Sequence, residues 1–219
     1  MRLPARQGDQ LRIGVAITIP EPYGPLLQAA RGRFGDPAAP FIPPHITLLG
    51  PTVLEPSDLE EVERHLTAAA SRHRPFVVHL RGTGTFRPVS PVVFVQVVDG
   101  IASCEALERE VRTGPLEQSL NFYYHPHVTV AHEVPEPDLD RAFEELVDFE
   151  ATFVVSAFHS YEHCDDEVWR PVREYPLTGA VSSGSGAPAR RAGSTATSPP
   201  CPRTPTGDAA QDASRALDS

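Results

Sequence analysis

The chain has 219 residues, of which 40% are hydrophobic, 29 are acidic and 19 are basic, for a formal charge of -10 at pH 7. This length can bury one substantial core, or two small lobes sharing one. The acidic balance excludes a surface that wraps nucleic acid non-specifically, because phosphate contacts need a basic face.

No run approaches the roughly 18 consecutive apolar residues of a membrane span, so no membrane insertion is expected. Asp9, Arg12 and Glu21 interrupt the N-terminal region, so no signal peptide is expected either. All the basic residues are arginine. Cys104, Cys164 and Cys201 are odd in number and lack metal-ligand spacing. Neither a disulfide framework nor a cysteine zinc site is therefore expected, which suits a reducing cytoplasm.

In chain order, Arg12 to Ile19 reads as a strand rich in β-branched residues, closed by Pro20 and Pro22, and Pro25 to Arg33 as a short helix. Ile42 to Leu49 is the next strand, ended by Gly50-Pro51. Ser57 is expected to cap a helix over Asp58 to Ser71, with Glu60 at the capping-box position and Leu59, Val62 and Leu66 at helical spacing. Phe76 to Leu80 is a strand that leads through Gly82 and Gly84 to Phe86. The same order then recurs: a strand over Val92 to Val98, a helix over Ser103 to Arg112, and a strand over His127 to Ala131. A helix over Asp138 to Val147, with Leu139, Phe143 and Leu146 on one stripe, precedes a strand over Thr152 to Phe158. Trp169 to Tyr175 is expected at a sheet edge, where Pro171 is tolerated. From 179 to 219 there is no aromatic residue, and Gly, Ala, Ser, Thr, Pro, Arg and Asp supply nearly everything. Such a segment cannot offset the roughly 1 to 2 kcal/mol per residue of backbone entropy lost on ordering, so a disordered tail is expected.

One short pattern occurs twice, as Pro44-His45-Ile46-Thr47-Leu48 and Pro126-His127-Val128-Thr129-Val130. In a strand, residues i and i+2 share a face, so each copy sets an imidazole and a hydroxyl side by side on an otherwise apolar strand. Their matching places in the recurring order indicate an internal duplication. Lobes over about 10–88 and 89–178, related by a pseudo-twofold, would set the two patches about one interface, where ligand sites commonly form. One neutral imidazole can take a proton from an attacking oxygen while a protonated one gives a proton to a leaving oxygen. Phosphodiester cleavage needs both roles, and the threonine hydroxyls can donate to non-bridging oxygens.

No carboxylate cluster lies near either patch in sequence, which favours metal-free acid-base chemistry over two-metal hydrolysis. His125, His127 and His132 raise a zinc reading, but the third ligand is unspecified and the first patch offers only His45. His159 and His163 fall where a strand removes the helical spacing of a metal pair, and read as surface residues at a strand end. Phe41, Tyr123 and Tyr124 flank the motif strands and are candidate ligand contacts, whereas Phe86, Phe158 and Trp169 read mainly as core.

With these motifs the chain resembles the two-histidine (2H) phosphoesterases, most closely the bacterial 2'-5' RNA ligase or RNA 2',3'-cyclic phosphodiesterase branch. His45-Ile46-Thr47-Leu48 followed by Leu49-Gly50 is similar to the first family motif, and His127-Val128-Thr129-Val130-Ala131 to the second. Gly84-Thr85-Phe86 looks like the family's link between lobes, and the likeness spans about residues 10 to 178. The resemblance implies an α+β fold of two duplicated lobes, with antiparallel sheets lining a central cleft and helices outside. It implies His45 as acid and His127 as base, with exchange of the two roles left open, and Thr47 and Thr129 as phosphate ligands, with no cofactor and no metal.

Family members that process RNA commonly carry Arg three residues beyond the second Thr, where this chain has His132. A histidine donates fewer hydrogen bonds and is not always charged. The substrate implied is a cyclic phosphate on an RNA end or, more in keeping with His132, on a small nucleotide or ADP-ribose derivative. The same proton transfers would also serve 2'-5' RNA ligation or cleavage, and a non-catalytic binding protein on the same fold is the rival from a different class. A cytoplasmic monomer is the expected setting.

Overall fold

The computed structural model describes residues 3–120, 122–180 and 201. The expected disordered tail from 179 onward lies, apart from 179, 180 and 201, outside the described residues. The elements are β1 (Leu11–Thr18), α1 (Tyr23–Arg33), β2 (His45–Leu54), α2 (Leu59–Arg72), β3 (Phe76–Thr85), β4 (Val92–Asp99), α3 (Ile101–Val111), β5 (His127–His132), α4 (Glu136–Glu145), β6 (Glu150–Val155), β7 (Ala157–His163) and β8 (Trp169–Pro176). The strands form one sheet in the order β6-β3-β4-β5-β2-β1-β7-β8, and each recorded pairing is antiparallel. The fold is α+β, as expected.

β1 is buried along nearly its whole length, which explains its placement inside the sheet. Ile13, Val15 and Ile17 are buried on one face, with Ile46 of β2 and Val128 of β5 in the same core cluster. Val62 and Leu66 of α2 and Leu107 of α3 complete that core. Each fully buried leucine there contributes roughly 1.5 to 3 kcal/mol. The opposite face, hereafter the site face, carries the polar positions of both motifs.

Connectivity forces the sheet to curl. A single residue, Ser156, separates β6 from β7, yet six strand spacings lie between them in the sheet order. A flat sheet would set them about 29 Å apart, whereas the chain from Val155 to Ala157 can reach only about 7 Å. The expected single strand over Thr152 to Phe158 is therefore broken at Ser156, where the chain leaves β3's partner and joins β1's. The halves either side of the β2–β5 junction also exchange strands. The half around β5 takes β3 from before residue 88, and the half around β2 takes β7 and β8 from after it.

Three other expectations differ from the structure. β2 continues through Gly50-Pro51 to Leu54 because the register against β1 slips between Ile13 and Val15, and a bulge accommodates proline. Ser57 does not cap α2. A 3-10 turn already occupies Pro56–Asp58, Asp58 is the cap residue, and the Ser57 hydroxyl turns to Asp58 at 3.3 Å. Cys164 is disulfide-bonded to Cys201, which withdraws the support that free cysteines gave to a reducing compartment. Sequence spacing conceals this pair because 37 residues separate the partners. Among the described helices none is long and apolar enough to cross a membrane.

Candidate active site

The two motifs meet at the centre of the sheet. Ile46 pairs with Val128, so the antiparallel register extends to His45 opposite Thr129 and Thr47 opposite His127. The Ile46–Val128 pair is the midpoint of that register, which sets each histidine across from the other motif's threonine. Extended sideways, the register makes two rows on the site face. One runs Thr18, His45, Thr129, Phe94, Gly84; the other runs His159, Ala16, Thr47, His127, Gln96.

Both imidazoles are held in the same tautomer. His45 Nδ1 lies 2.7 Å from the Pro43 carbonyl and His127 Nδ1 lies 2.6 Å from the His125 carbonyl. A carbonyl only accepts, so each Nδ1 carries the hydrogen and each Nε2 is left for proton exchange. Burial lowers the pKa of His45, against the pull of the Pro43 carbonyl, and Arg31 adds to the lowering. Burial, with repulsion from His125 and His45, takes His127 down to about 4.

A bulge follows each motif at the equivalent place. Ala16 and Val15 pair with Thr47 and Leu49, leaving Leu48 extra, and Phe94 and Val93 pair with Thr129 and Ala131, leaving Val130 extra. Two consecutive residues therefore point into the core, Leu48 with Leu49 and Val130 with Ala131. The bulge also returns residue 132 to the site face with 127 and 129. His132 is thus placed beside the motif, half-buried, with its pKa lowered mainly by burial.

The other expected contacts divide. Tyr123 is fully exposed. Tyr124 is half-buried and donates its hydroxyl to the Thr47 carbonyl at 2.9 Å, so it braces the motif backbone. The Phe41 carbonyl accepts the Trp169 N–H at 2.9 Å. Phe158 is core, as expected. Phe86 is not wholly core: its ring meets His127 edge-on at 5.0 Å and 89°, with Phe94 also 5.0 Å from His127. His159 lies within β7, whereas His163 is its last residue, as expected, but is buried rather than at the surface, with Nδ1 2.9 Å from Arg12.

Sequence reasoning missed Phe94, which lay inside an apolar run that reads only as strand. Its ring sits where Gly84 leaves room, since a Cβ at Gly84 would come within 2.5 Å of it. Gly84→Ala is expected to push Phe94 off His127 at a cost of about 1 to 3 kcal/mol. Urea unfolding checks this, and a variant as stable as the parent would show that the ring is not wedged. Arg31 was also missed. It is buried, donates to Asp36 at 2.9 Å and to the Ile42 carbonyl at 3.1 Å, and thereby ties down the segment that ends in His45.

Residues 19–167 match the family model described as the 2'-5' RNA ligase superfamily. A provisionally named phosphoesterase of Bacillus cytotoxicus is 26% identical over 161 residues, covering 73% of this chain and 92% of the relative. Another of Halalkalibacterium halodurans is 30% identical over 129 residues, covering 59% and 74%. Among solved structures, Escherichia coli LigT in its apo form aligns with a TM-score of 0.55 at 17% identity, over 78% of this chain and 99% of that one. The same E. coli protein complexed with 3'-AMP aligns with a TM-score of 0.53 at 18% identity, again over 78% and 99%.

Proposed function

This chain belongs to the 2'-5' RNA ligase superfamily, and from that premise we propose that it is a phosphoesterase opening 2',3'-cyclic phosphates by acid-base catalysis between His45 and His127. The observation that carries the proposal is the diagonal register across β2 and β5, with both Nδ1 atoms tied to backbone carbonyls and both Nε2 atoms left for chemistry. His127 Nε2 takes a proton from water as the water oxygen bonds to phosphorus. The bond from phosphorus to one ribose oxygen breaks, and that oxygen takes its proton from His45 Nε2. Thr47 and Thr129 donate hydroxyls to the non-bridging oxygens, where charge is held in the transition state. His127 suits the base role because its apolar ring contacts and neighbouring imidazoles favour the neutral form.

His132 on the site face, in place of an arginine, supports a small nucleotide over a long RNA, since it offers fewer donors for additional phosphates. The complex of E. coli LigT with 3'-AMP is in keeping with a nucleotide ligand. Joining or splitting a 2'-5' linkage would use the same transfers with a ribose hydroxyl in place of water. Incubation with 2',3'-cyclic nucleotides in the presence of a chelator tests the proposal. Opening to the monophosphate is expected, and absence of turnover on every cyclic nucleotide would overturn it.

The pH dependence follows from the lowered histidines. The productive free enzyme holds one proton on the pair, and with both pKa values below the ordinary imidazole value that proton is scarce at pH 8. Between pH 8 and 6, kcat/KM is therefore expected to rise as pH falls, by about tenfold per unit on the steep part of the limb. A profile that climbs toward alkaline pH would contradict the protonated-acid assignment.

A further inference from the structure

The pseudo-twofold that exchanges His45 with His127 fails one strand out from the motifs. Beside Thr129 stands Phe94 with Gly84 beyond it, whereas the equivalent places beside Thr47 hold Ala16 and then His159. Gln96 beside His127 is matched by Thr18 beside His45. A large ring over a glycine on one side is exchanged for a small residue next to a polar ring on the other. The two ends of the site are therefore chemically unlike: aromatic rings wall the His127 end, and hydroxyl and imidazole groups wall the His45 end.

The polar wall is an organised cluster. Thr18 Oγ lies 2.6 Å from the Tyr161 hydroxyl and 3.1 Å from His159 Nδ1, and His159 Nε2 lies 3.4 Å from the Glu174 carboxylate. Tyr161 is buried, and its hydroxyl and that of Thr18 share one hydrogen bond in which either oxygen can donate. With the His159 hydrogen on Nε2, Thr18 donates to Nδ1. With it on Nδ1, His159 donates to Thr18, and when Tyr161 also donates to Thr18 the Thr18 hydrogen is released to a third group. None of these side chains has a part in the proton transfers between His45 and His127.

Resting on the cyclic phosphodiesterase reading, we infer that Thr18 and His159 form a sugar-hydroxyl subsite for the ribose whose oxygen His45 protonates, with Tyr161 as a positioning residue for Thr18. Thr18 stands one strand from His45 and His159 one strand further, steps of about 5 Å each, which suits a group bonded to phosphorus on that side. The half-exposed Glu174 carboxylate next to His159 accepts a hydroxyl hydrogen and repels a second phosphate, so the class is an uncharged sugar, whose free hydroxyl in a 2',3'-cyclic nucleotide is the 5' one.

The test compares Thr18→Val, which removes the hydroxyl at nearly constant shape, with Thr18→Ser, which keeps it. The substrates are 2',3'-cyclic AMP and the cyclic phosphate of 1,2-ethanediol, which has the strained ring but no sugar. Thr18→Val is expected to lose about tenfold in kcat/KM on the nucleotide, largely through KM, and less than about twofold on the sugar-free ring. Thr18→Ser is expected to restore the nucleotide rate. Equal losses on both substrates, no loss on either, or failure of serine to rescue would overturn the subsite. If the parent turns over neither substrate, the hydrolytic reading fails and calorimetry decides the subsite alone. A tighter affinity for 3'-AMP than for inorganic phosphate in the parent, erased in Thr18→Val, supports it, and no such margin overturns it.

Discussion

Replacing either His45 or His127 with alanine is expected to lower kcat on a 2',3'-cyclic nucleotide by about 10²- to 10⁴-fold, the usual contribution of a positioned acid or base. Both rings stand on the half-buried site face, and each is anchored by one hydrogen bond to a carbonyl two residues before it in the chain. Neither ring belongs to the apolar core cluster, so thermal melting is expected to stay close to the parent's. The double variant is expected to be little worse than the worse single one, because in the proposed mechanism the two groups serve one reaction and their effects are not additive. Affinity for the product monophosphate should fall far less than turnover, since both threonine hydroxyls remain. Parent-like rates in both single variants would remove the catalytic assignment, while parent-like rates in one alone would leave a single-histidine mechanism. Wild-type rates in Thr47→Val and Thr129→Val would in turn sink the hydroxyl role.

The largest expected effect on stability belongs to Asp36. Its carboxylate takes Arg31 Nε at 3.1 Å and a second guanidinium nitrogen at 2.9 Å, and its other oxygen accepts the Ala38 N–H at 2.8 Å. The side chains of Arg31 and Asp36 are only 4% and 0% exposed. Asp36→Ala leaves a buried guanidinium with no counter-charge, a loss of about 3 to 5 kcal/mol. For a chain of this size that corresponds to a melting temperature lower by roughly 6 to 20 °C. Changing both members, as Arg31→Met with Asp36→Ala, is expected to recover much of the loss, because burying an ion pair is itself costly and an apolar pair of similar volume often substitutes for it. Denaturant melts of the single and double variants check this, and a single variant that unfolds with the parent would show that the pair is not needed. Arg31 also holds the Ile42 carbonyl at 3.1 Å, so loosening it is expected to raise the mobility of the segment leading into His45 and to lower kcat/KM even below the melting transition.

The local character of most elements could be read directly. The β-branched enrichment of β1, the helical spacing of Leu59, Val62 and Leu66, and the edge position of the strand bearing Pro171 each depend on near neighbours, and each element stands in the structure. Ser57 and Gly50-Pro51 misled because a cap and a strand end are competitive outcomes: a 3-10 turn occupied the first, and a bulge against β1 absorbed the second.

The repeated His-x-Thr pattern by itself supplied the candidate groups: two imidazoles and two hydroxyls on apolar strands, at matching places in the recurring order. Folding decided which of those groups face one another, by pairing Ile46 with Val128 and so crossing each histidine to the other motif's threonine. It also decided that Phe94 stands against one histidine's row and Ala16 in the other's, that Arg31 and Asp36 brace the approach to His45, and that Cys164 finds Cys201. Periodicity along a strand reports which face a residue takes, because that is set by backbone geometry every two residues. Neighbours across strands are set by sheet order and register, which long-range packing of the core chooses among many sequences of local signals.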